Sequence, residues 1–513
     1  MVASDLGRRA SKAPRRIAVI GGGPAGLCVA RLIKLRQPDW EVDLYERNHP
    51  EQTYGYGVGL GWSTFRRLGT ADPIVAGEIE DGSVTAHKWT VRRGSDVISA
   101  ANEHGVAISR SRLLGILSHH ASASGVRVHT GAAPASEDLT ADVVIAADGV
   151  ASETRRSLAA ALGANVSTGD LAYMWCGSDL PHRDEMTLAI AVTDAGPLAA
   201  HIMPYGAEGS TFQVDAHCDA VAAWGLAEAT DERATLSFLS NCFAELLGEG
   251  RISTKRSSWS RFTTVTCDRW GTKSTVLAGD AAHTAHYTVG SGTGLALDDA
   301  MVLADALVSS ASVSEAFEGY ETVRRPAVER IQLRADRSQQ WWTTLASRID
   351  LPMAQLMLSY LTRTGALTLA TVARTNPELI ASCLPDEAFP GDDLAGRVLN
   401  RPLHTARVDH PSRVFDDTLA DSVPTVVIDE THLGSADVRH HLTRATRLVA
   451  DGAACVRLAG PGERDAILGR LDVAEQLRAQ APVATIVRGP LTARDDLALG
   501  VLSNRTDLVE FAT

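Results

Sequence analysis

The chain has 513 residues, with 49 lysines and arginines against 62 aspartates and glutamates and a formal net charge of −13. This composition is that of an ordinary globular protein, so it excludes a disordered, collagen-like or disulfide-scaffold protein, and the acidic balance argues against a nucleic-acid-binding one. Because domains usually have roughly 100–200 residues, the length predicts two to four packed units.

The cysteines and the N-terminus indicate the cellular setting. The seven cysteines are scattered and none forms a CxxC pair, so we predict no zinc site and no disulfide framework but a reduced, cytoplasmic protein. Two arginine pairs precede the uncharged stretch Ile17–Ala30, which is too short to span a membrane. We therefore expect residues 1–14 to be a mobile basic arm, and we expect no membrane partner.

A strand–turn–helix–strand unit follows the arm. Ile17–Ile20 is a short apolar run, largely β-branched, as is typical of a buried parallel strand. The apolar positions of Leu27–Leu35 predict a helix, and Val42–Tyr45 predicts a second strand. Gly21–Gly26 forms a GxGxxG turn between strand and helix, and Glu46 ends the unit twenty residues after the last glycine. This context favours a dinucleotide-binding unit, although it does not separate FAD from NAD.

Each part of this turn has a physical reason. Gly21 permits the tight turn, Gly23 lets the backbone approach a pyrophosphate, and Gly26 allows the helix to pack closely on the strand. The helix N-terminus offers unpaired N–H groups to that pyrophosphate, and the acid can accept hydrogen bonds from a ribose. We expect the nucleotide to be bound by Gly21, Gly23, Pro24, Ala25, Gly26, Glu46 and Arg47.

Two later strands also end in a glycine and an acid. The strand within Ala141–Ala147 is followed by Asp148-Gly149, and Ser274–Ala278 is followed by the sequence GDAAH, Gly279–His283. The glycine-rich turn Gly290–Gly294 comes next and opens a helical run. Taken singly, each glycine–acid pair could be an ordinary turn.

In order and spacing, the three motifs resemble the fingerprints of the single-component FAD-dependent aromatic hydroxylases, the family of para-hydroxybenzoate hydroxylase. The resemblance covers about residues 15–345. It implies that Asp280 binds the ribityl or pyrophosphate part of FAD and that Asp148 and Gly149 serve both FAD and NAD(P)H. It also implies that Arg110, at the start of a helix, contacts FAD. The residues expected to set backbone N–H groups against the flavin ring are Gly290, Gly292, Thr293 and Gly294.

The third motif departs from the usual family sequence. Tyr287 stands where the family usually has proline, and the run GDAAHTAHYTVGSGT is similar to a subgroup that oxygenates aromatic acyl-CoA thioesters. Salicyloyl-CoA 5-hydroxylase and the anthraniloyl-CoA (2-aminobenzoyl-CoA) monooxygenases belong to that subgroup. The segments His201–Tyr205 and Leu361–Arg363 agree with it. His283 and His286 have no third ligand spaced nearby, so they predict no metal site.

The resemblance implies a reaction. We expect an FAD-dependent, NAD(P)H-consuming monooxygenase that inserts one atom of O2 into an aromatic acyl-CoA through a C4a-hydroperoxyflavin, with salicyloyl-CoA 5-hydroxylation as the first candidate. Anthraniloyl-CoA hydroxylation or epoxidation, or hydroxylation of a carrier-bound or free aromatic, are the alternatives. The candidate catalytic residues are His286, Tyr205 and His201. Arg66-Arg67 or Arg324-Arg325 could bind the CoA phosphates.

The predicted fold is α/β, with a Rossmann-like FAD-binding domain, an inserted β-sheet substrate domain, a helical extension and a small C-terminal β/α domain. The expected boundaries are 15–165 with 269–345 for FAD binding, 166–268 for the substrate domain, 346–404 for the extension and 405–513 for the C-terminal domain. The C-terminal segments resemble the closing strands of an old-yellow-enzyme barrel. A full barrel needs about 250 residues, so we expect a truncated barrel without FMN.

Two other classes of protein remain open. An FAD dehydrogenase or disulfide reductase would carry a second complete GxGxxG and often a CxxxxC pair, and neither is present. A non-catalytic flavin-binding scaffold would show no substrate-stimulated NAD(P)H oxidation. We expect the enzyme to be a monomer or a homodimer.

Overall fold

The computed structural model describes residues 16–49, 55–102, 105–180, 184–207, 209–227, 232–255, 257–384, 393–405, 408–415, 423–428 and 436–512. The arm predicted at residues 1–14 lies outside these ranges. Within them, no helix is both long and apolar enough to cross a membrane.

The strands in chain order are β1 (Arg16–Ile20), β2 (Glu41–Glu46), β3 (Gly57–Gly61), β4 (Val84–Thr85), β5 (Lys88–Arg93), β6 (Asp96–Ala101), β7 (Gly105–Ser109), β8 (Arg127–Thr130), β9 (Val143–Ala146), β10 (Ala164–Ser178), β11 (Glu185–Thr193), β12 (Gly196–Gly206), β13 (Gly209–His217), β14 (Ile252–Thr254), β15 (Ser260–Cys267), β16 (Gly271–Thr272), β17 (Thr275–Leu277), β18 (Leu403–His404), β19 (Asp409–His410), β20 (Thr425–Val427), β21 (Cys455–Ala459), β22 (Ala484–Pro490) and β23 (Leu508–Ala512).

The α-helices are α1 (Pro24–Arg36), α2 (Trp62–Ala71), α3 (Pro73–Asp81), α4 (Arg110–Ala123), α5 (Glu153–Ser157), α6 (Ala159–Leu162), α7 (Cys218–Ala223), α8 (Glu232–Cys242), α9 (Ala244–Leu247), α10 (Gly292–Ser309), α11 (Val313–Thr343), α12 (Met353–Thr362), α13 (Leu369–Thr375), α14 (Pro377–Cys383), α15 (Leu394–Leu399), α16 (Ala436–Ala450), α17 (Arg464–Gln480) and α18 (Arg494–Leu502).

The first sheet has the order β16-β17-β9-β1-β2-β8, and its strands are parallel except for β16. Apolar residues of β1, β2, β9 and β17 form one buried cluster with α1, α4 and α10. These elements confirm the strands and helices predicted around the three motifs. Because parallel strands end at the same edge of a sheet, all three glycine–acid turns lie along that edge.

The second sheet has the path β14-β10-β13-β12-β11-β5-β6, and β15 also pairs with β10. Strands β11 and β13 lie within residues 166–268, the segment expected to form the β-sheet substrate domain. The sheet also contains β5 and β6, which come from the part of the chain assigned to FAD binding. Strand β5 pairs with β11 in parallel, nearly a hundred residues later in the chain, and no local pattern in the sequence indicates such a pairing.

The C-terminal sheet has four parallel strands in the chain order β20-β21-β22-β23, connected by α16, α17 and α18. This alternation of strand and helix is that of half a (β/α)8 barrel. Its apolar residues share one buried cluster with α12 to α15 and with β11 of the second sheet. Buried ion pairs join α11 to α17, among them Arg337–Asp472 at 3.3 Å. The C-terminal region is therefore packed against the rest of the molecule.

Candidate cofactor and substrate site

A cavity of about 1450 Å³ opens at the carboxyl edge of the first sheet, and residues of both large sheets line it. The predicted motifs meet there: Gly23–Ala25, Arg110, Gly149, Asp280 and Gly290–Gly294 all line the cavity. The three glycine–acid turns, which are far apart in the sequence, therefore surround a single space.

The glycines of the first turn differ in what surrounds them. Gly21 has a φ of +108°, and a Cβ atom there would lie 2.1 Å from the carbonyl oxygen of Ala147. A Cβ atom at Gly26 would lie 2.0 Å from the carbonyl oxygen of Gly21, so these two positions are closed to any side chain. At Gly23 a Cβ atom would meet nothing within 4 Å. Its backbone therefore faces open space, as a close approach to a phosphate requires.

The acid after β2 is tied to the glycine turn. The N–H group of Gly22 donates a hydrogen bond to Oε2 of Glu46 at 2.6 Å, and that of Asn48 donates to Oε1 at 2.8 Å. Arg47 is exposed. The Glu46 carboxylate is thus fixed beside the turn, with acceptor capacity left for ribose hydroxyls.

The second motif is connected to the third by a buried arginine. The backbone N–H and the hydroxyl of Thr154 donate to Oδ2 of Asp148 at 3.3 Å, and Oδ1 of Asp148 is buried without a partner in the described residues. The Arg155 side chain donates to the carbonyl oxygens of Val150 and, at 2.9 Å, of Ala281. An unpartnered carboxylate oxygen beside the cavity fits a cofactor hydroxyl.

Opposite charges meet in the cavity at Arg110 and Asp280. The Ser109 hydroxyl caps α4 by accepting from the N–H of Arg112 at 3.3 Å, which places Arg110 as the first residue of that helix, as predicted. Burial lowers the pKa of Arg110, and the Asp280 charge opposes that change. Burial raises the pKa of Asp280, against the charges of His283 and Arg110. The pair offers a donor and an acceptor for the polar groups of FAD.

The bridging loop, residues 278–291, connects β17 to α10 and is fixed at its start by Asp299. This buried carboxylate accepts from the N–H of Gly279 at 2.9 Å and from Nε of Arg324 at 2.7 Å, and it lies 2.8 Å from Nε2 of His283. Burial alone would raise the pKa of Asp299, but the His283 and Arg324 contacts outweigh burial and lower it. His283 is therefore an anchor of the loop.

The bridging loop ends in the N-terminus of α10. Gly290 has a φ of +63°, and Cβ atoms at Gly290 and Gly292 would meet nothing within 4 Å. The first residue whose N–H bonds back within this turn is Leu295. The N–H groups of Gly292, Thr293 and Gly294 thus have no intrahelical acceptor and face the cavity, where a helix N-terminus stabilises negative charge.

Four aromatic rings line the cavity beyond this turn. Tyr173 and Trp175 project from β10, Phe262 from β15, and Tyr287 from the bridging loop. The ring centre of Tyr287 lies 4.7 Å from that of Tyr173, 6.3 Å from that of Trp175 and 5.6 Å from that of Phe262. We call these four residues the aromatic wall. Of its members, sequence reasoning singled out only Tyr287, although the Tyr173-x-Trp175 spacing places both rings on one face of a strand.

A buried carboxylate lies behind the aromatic wall. Asp215 on β13 accepts a hydrogen bond from the Tyr287 hydroxyl and another from Nε2 of Gln213 at 3.2 Å. Nε2 of His201 lies 3.0 Å from Oδ2 of Asp215, and the His201 ring packs on Trp342 at 4.5 Å. Burial, followed by the Asp215 charge, raises the pKa of Tyr287 well above its ordinary value, so this phenol stays protonated. Sequence reasoning missed Asp215.

The three predicted catalytic residues lie in different places. His201 lines the cavity. His286 is 3% exposed, its Nδ1 lies 3.0 Å from the Thr288 hydroxyl, and burial lowers its pKa to about 4. The ring of Tyr205 lies beside Gly57, where a Cβ atom would be 2.6 Å away from it. His286 and Tyr205 are not among the residues that line the cavity, so their catalytic role stays a prediction.

The two arginine pairs suggested for CoA phosphates are occupied by internal carboxylates. The distances are 3.0 Å from Arg67 to Asp298, 2.7 Å from Arg324 to Asp299 and 3.1 Å from Arg325 to Glu321. Three of the four arginines thus brace helices within the protein.

Three glycine–acid turns at the edge of a mainly parallel sheet surround one cavity, and a mainly antiparallel sheet supplies the opposite wall. This arrangement defines an FAD-binding oxidoreductase. A family model described as an FAD binding domain matches residues 91–335. The chain is 37% identical over 354 residues to 3-hydroxy-4-methyl-anthranilyl-[aryl-carrier protein] 5-monooxygenase from Streptosporangium sibiricum, covering 69% of this chain and 95% of that protein. It is 34% identical over 362 residues to salicyloyl-CoA 5-hydroxylase from Streptomyces sp, covering 68% of this chain and 69% of that protein.

Solved structures agree on the fold. The tetrameric form of 2-methyl-3-hydroxypyridine-5-carboxylic acid oxygenase matches 71% of this chain and 96% of that chain, with a TM-score of 0.54 and 21% identity. The chain therefore belongs to the aromatic hydroxylase family of FAD-dependent monooxygenases. It binds FAD and consumes NAD(P)H and O2. The predictions of the fold class, of the aromatic hydroxylase family and of FAD with NAD(P)H are confirmed, whereas the acyl-CoA subgroup stays a prediction.

Proposed function

We propose that this monooxygenase inserts one oxygen atom into the ring of an aromatic acyl thioester that carries a hydroxyl or amino group ortho to the carbonyl. Salicyloyl-CoA 5-hydroxylation is the first candidate, and hydroxylation or epoxidation of anthraniloyl-CoA is the second. The names of the two relatives support this choice, because each joins an aromatic acyl group to a carrier and specifies the 5-position. That carbon is para to the ortho substituent and is therefore electron-rich.

The aromatic wall with Asp215 behind it is the observation that carries the proposal. Flat apolar rings suit an aromatic substrate, and His201, which lines the cavity in front of Asp215, offers a ring nitrogen to a hydroxyl or amino group on that substrate. The wall lies next to the glycine-rich N-terminus of α10 on the bridging loop. An aromatic ring held there is close to the expected position of the flavin.

Different residues of the chain have different roles in the proposed reaction. When bound, FAD supplies electron transfer from NAD(P)H and activation of O2. The N–H groups of residues 292–294 stabilise negative charge at the flavin, and Arg110 and Asp280 orient it. The aromatic wall excludes water from the reacting atoms. His201, whose Nε2 lies 3.0 Å from Oδ2 of Asp215, accepts the proton of the substrate's ortho substituent at Nδ1. His286, whose ring centre is 4.2 Å from that of Tyr287, positions that ring.

The test is turnover by the purified holoenzyme. NADH and NADPH oxidation are measured with salicyloyl-CoA, anthraniloyl-CoA and the two free acids, and products are identified by mass spectrometry. We expect the thioesters to stimulate oxidation and to gain one oxygen atom at carbon 5. Stimulation by the free acids alone would contradict the thioester assignment, and no stimulation by any compound would favour a non-catalytic scaffold.

The proton acceptor is tested by His201→Gln. We expect kcat to fall by about 10²-fold or more, since a positioned acid–base group contributes that much. The exposed His119 provides the matched control, because His119→Gln makes the same chemical change far from the cavity. Equal rates in the two variants would exclude His201 as the acceptor.

A further inference from the structure

One stretch of the cavity rim carries positive charge that the rest of the described chain does not neutralise. Among the arginines that line the cavity, Arg36, Arg67, Arg261 and Arg324 each bind a carboxylate, Arg110 faces Asp280, and Arg363 donates to carbonyl oxygens. Arg330 and Arg334 also line it, yet neither side chain has a hydrogen bond or an ion pair with any residue in the described ranges. These two side chains are thus available to a ligand.

The two arginines share one face of α11. They are four residues apart, so their side chains project side by side, and like charges at this spacing oppose helix stability. Burial lowers the pKa of Arg334, and the charges of Arg330, Arg464 and Arg337 lower it further, against Asp465 alone. A repulsive arrangement of this kind in a protein with a net charge of −13 is suited to bind an anion.

The surroundings of these arginines indicate the shape of that anion. Val323, Ala327 and Ile331 continue the same helix face along the cavity and present an apolar track. Opposite them lies the turn 363–367, where Arg363 donates to the Thr288 carbonyl of the bridging loop at 2.9 Å. The turn 363–367 is therefore joined to the bridging loop, which carries Tyr287.

The C-terminal region reaches the same rim. Arg464 on α17 donates to the carbonyl oxygen of Gly365 at 3.0 Å and binds Asp496 at 2.8 Å. Its charge is one of those that act on Arg334. The C-terminal region thus braces the turn 363–367, and Asp496 compensates the charge of Arg464.

We propose that Arg330 and Arg334 bind the phosphate of a phosphopantetheine arm that carries the aromatic acyl group. The inference rests on the proposed function, since a free aromatic acid has no such arm. The apolar track would accommodate the pantetheine chain, and guanidinium groups bind phosphate oxygens through paired, charge-assisted hydrogen bonds. CoA and an acyl carrier protein present the same phosphopantetheine group, and the assay distinguishes them.

The experiment compares substrates with and without phosphate. Kinetics of Arg330→Gln, Arg334→Gln and the double variant are measured with salicyloyl-CoA and with the salicyloyl thioester of unphosphorylated pantetheine. We expect KM for salicyloyl-CoA to rise about tenfold for each arginine, with kcat little changed, because each loses a charge-assisted bond to phosphate. The phosphate-free thioester should show no change between variants. Raising the salt concentration should increase KM in the wild type and much less in the double variant.

The controls separate the possible failures. Arg447→Gln, an exposed arginine on α16 outside the cavity, should leave every constant unchanged, and bound FAD checks the fold of each variant. If thioesters are turned over but the double variant keeps the wild-type KM for salicyloyl-CoA, this inference is wrong while the proposed function stands. An equal rise in the KM for the phosphate-free thioester would also overturn this inference. So would a rise confined to the KM for NADPH. If no aromatic thioester stimulates turnover, the proposed function itself fails.

The carrier is identified with the same variants. A salicyloyl group loaded on a phosphopantetheinyl carrier protein and salicyloyl-dephospho-CoA, which lacks the 3′-phosphate, are compared with salicyloyl-CoA. Retention of the arginine effect with all three supports a site for the shared pantetheine phosphate. An effect seen only with salicyloyl-CoA would assign the arginines to the 3′-phosphate and overturn the proposal as stated.

Discussion

The two ends of the bridging loop are held by two buried aspartates whose partners differ in kind. On the nucleotide side, Asp299 binds the Arg324 guanidinium and the His283 ring. On the substrate side, Asp215 binds a tyrosine hydroxyl and a glutamine amide, with His201 at 3.0 Å. The first arrangement fixes the backbone near the cofactor by charge. The second relies on hydrogen bonds from the uncharged side chains of Tyr287 and Gln213, so breaking its contacts should cost less stability.

The largest effect is expected on the nucleotide side. Asp299→Asn leaves the buried Arg324 cation without its carboxylate, so the free energy of unfolding should fall by about 3–5 kcal/mol. Urea denaturation of the purified protein measures this loss, and FAD absorbance reports whether the site survives. A loss no larger than that caused by Asp215→Asn would remove the contrast between the two ends.

A smaller loss of stability is expected on the substrate side. Asp215→Asn keeps the size of the side chain but disturbs the contacts to Tyr287, Gln213 and His201, which should cost about 1–3 kcal/mol. FAD should stay bound, while kcat should fall by about 10²-fold because His201 loses the acceptor that orients it. Urea denaturation and product formation together check this outcome. Loss of FAD without loss of kcat per bound flavin would contradict it.

The same contrast explains what the sequence could predict. The turns at Gly21, Asp148 and Asp280 are encoded by a few neighbouring residues, each at the end of an apolar strand, so their meeting at one sheet edge follows from parallel topology. The hydrogen bond between Asp215 and Tyr287 joins residues 72 positions apart, and it depends on the register of an antiparallel sheet. A sequence pattern gives the alternation of a strand but not its register with a distant partner.

Two further differences between expectation and structure have the same cause. Strand β5 lies in the second sheet because it pairs with β11. No sequence pattern within either strand predicts this pairing. His286 follows His283 by three residues, yet His283 contacts the distant Asp299 whereas Nδ1 of His286 contacts the nearby Thr288 hydroxyl. On the substrate side the sequence indicated Tyr287, by its departure from the usual proline, and His201, but not the Asp215 carboxylate that lies between them.

The pH dependence of stability should report the isolation of His286. Burial lowers its pKa to about 4 from the ordinary histidine value of 6.5, so between these values the unfolded chain binds a proton that the folded chain does not. The free energy of unfolding should therefore decrease as the pH falls from about 6.5 to about 4, by up to ~1.4 kcal/mol per pH unit.

Urea denaturation of the wild type and of His286→Asn at about pH 7 and about pH 5 checks this dependence. The variant should lose part of the decrease, whereas His119→Gln, an exposed control, should keep it. Identical slopes in the wild type and His286→Asn would show that the imidazole takes up its proton in the folded protein as readily as in the unfolded chain.

The smallest effect on stability should come from Tyr287→Phe, which removes only the hydroxyl that binds Asp215. We expect a loss of about 1 kcal/mol, with FAD retained, because the glycine-rich turn does not depend on that hydroxyl. Tyr56→Phe is the matched control, since the Tyr56 hydroxyl donates to the Ser253 carbonyl at 3.0 Å, away from any carboxylate. Both variants should lose similar stability by urea denaturation. Only Tyr287→Phe should lower the ratio of hydroxylated product to NAD(P)H consumed, because only that hydroxyl holds the aromatic wall to the acceptor behind it; an equal ratio in both would limit Tyr287 to packing.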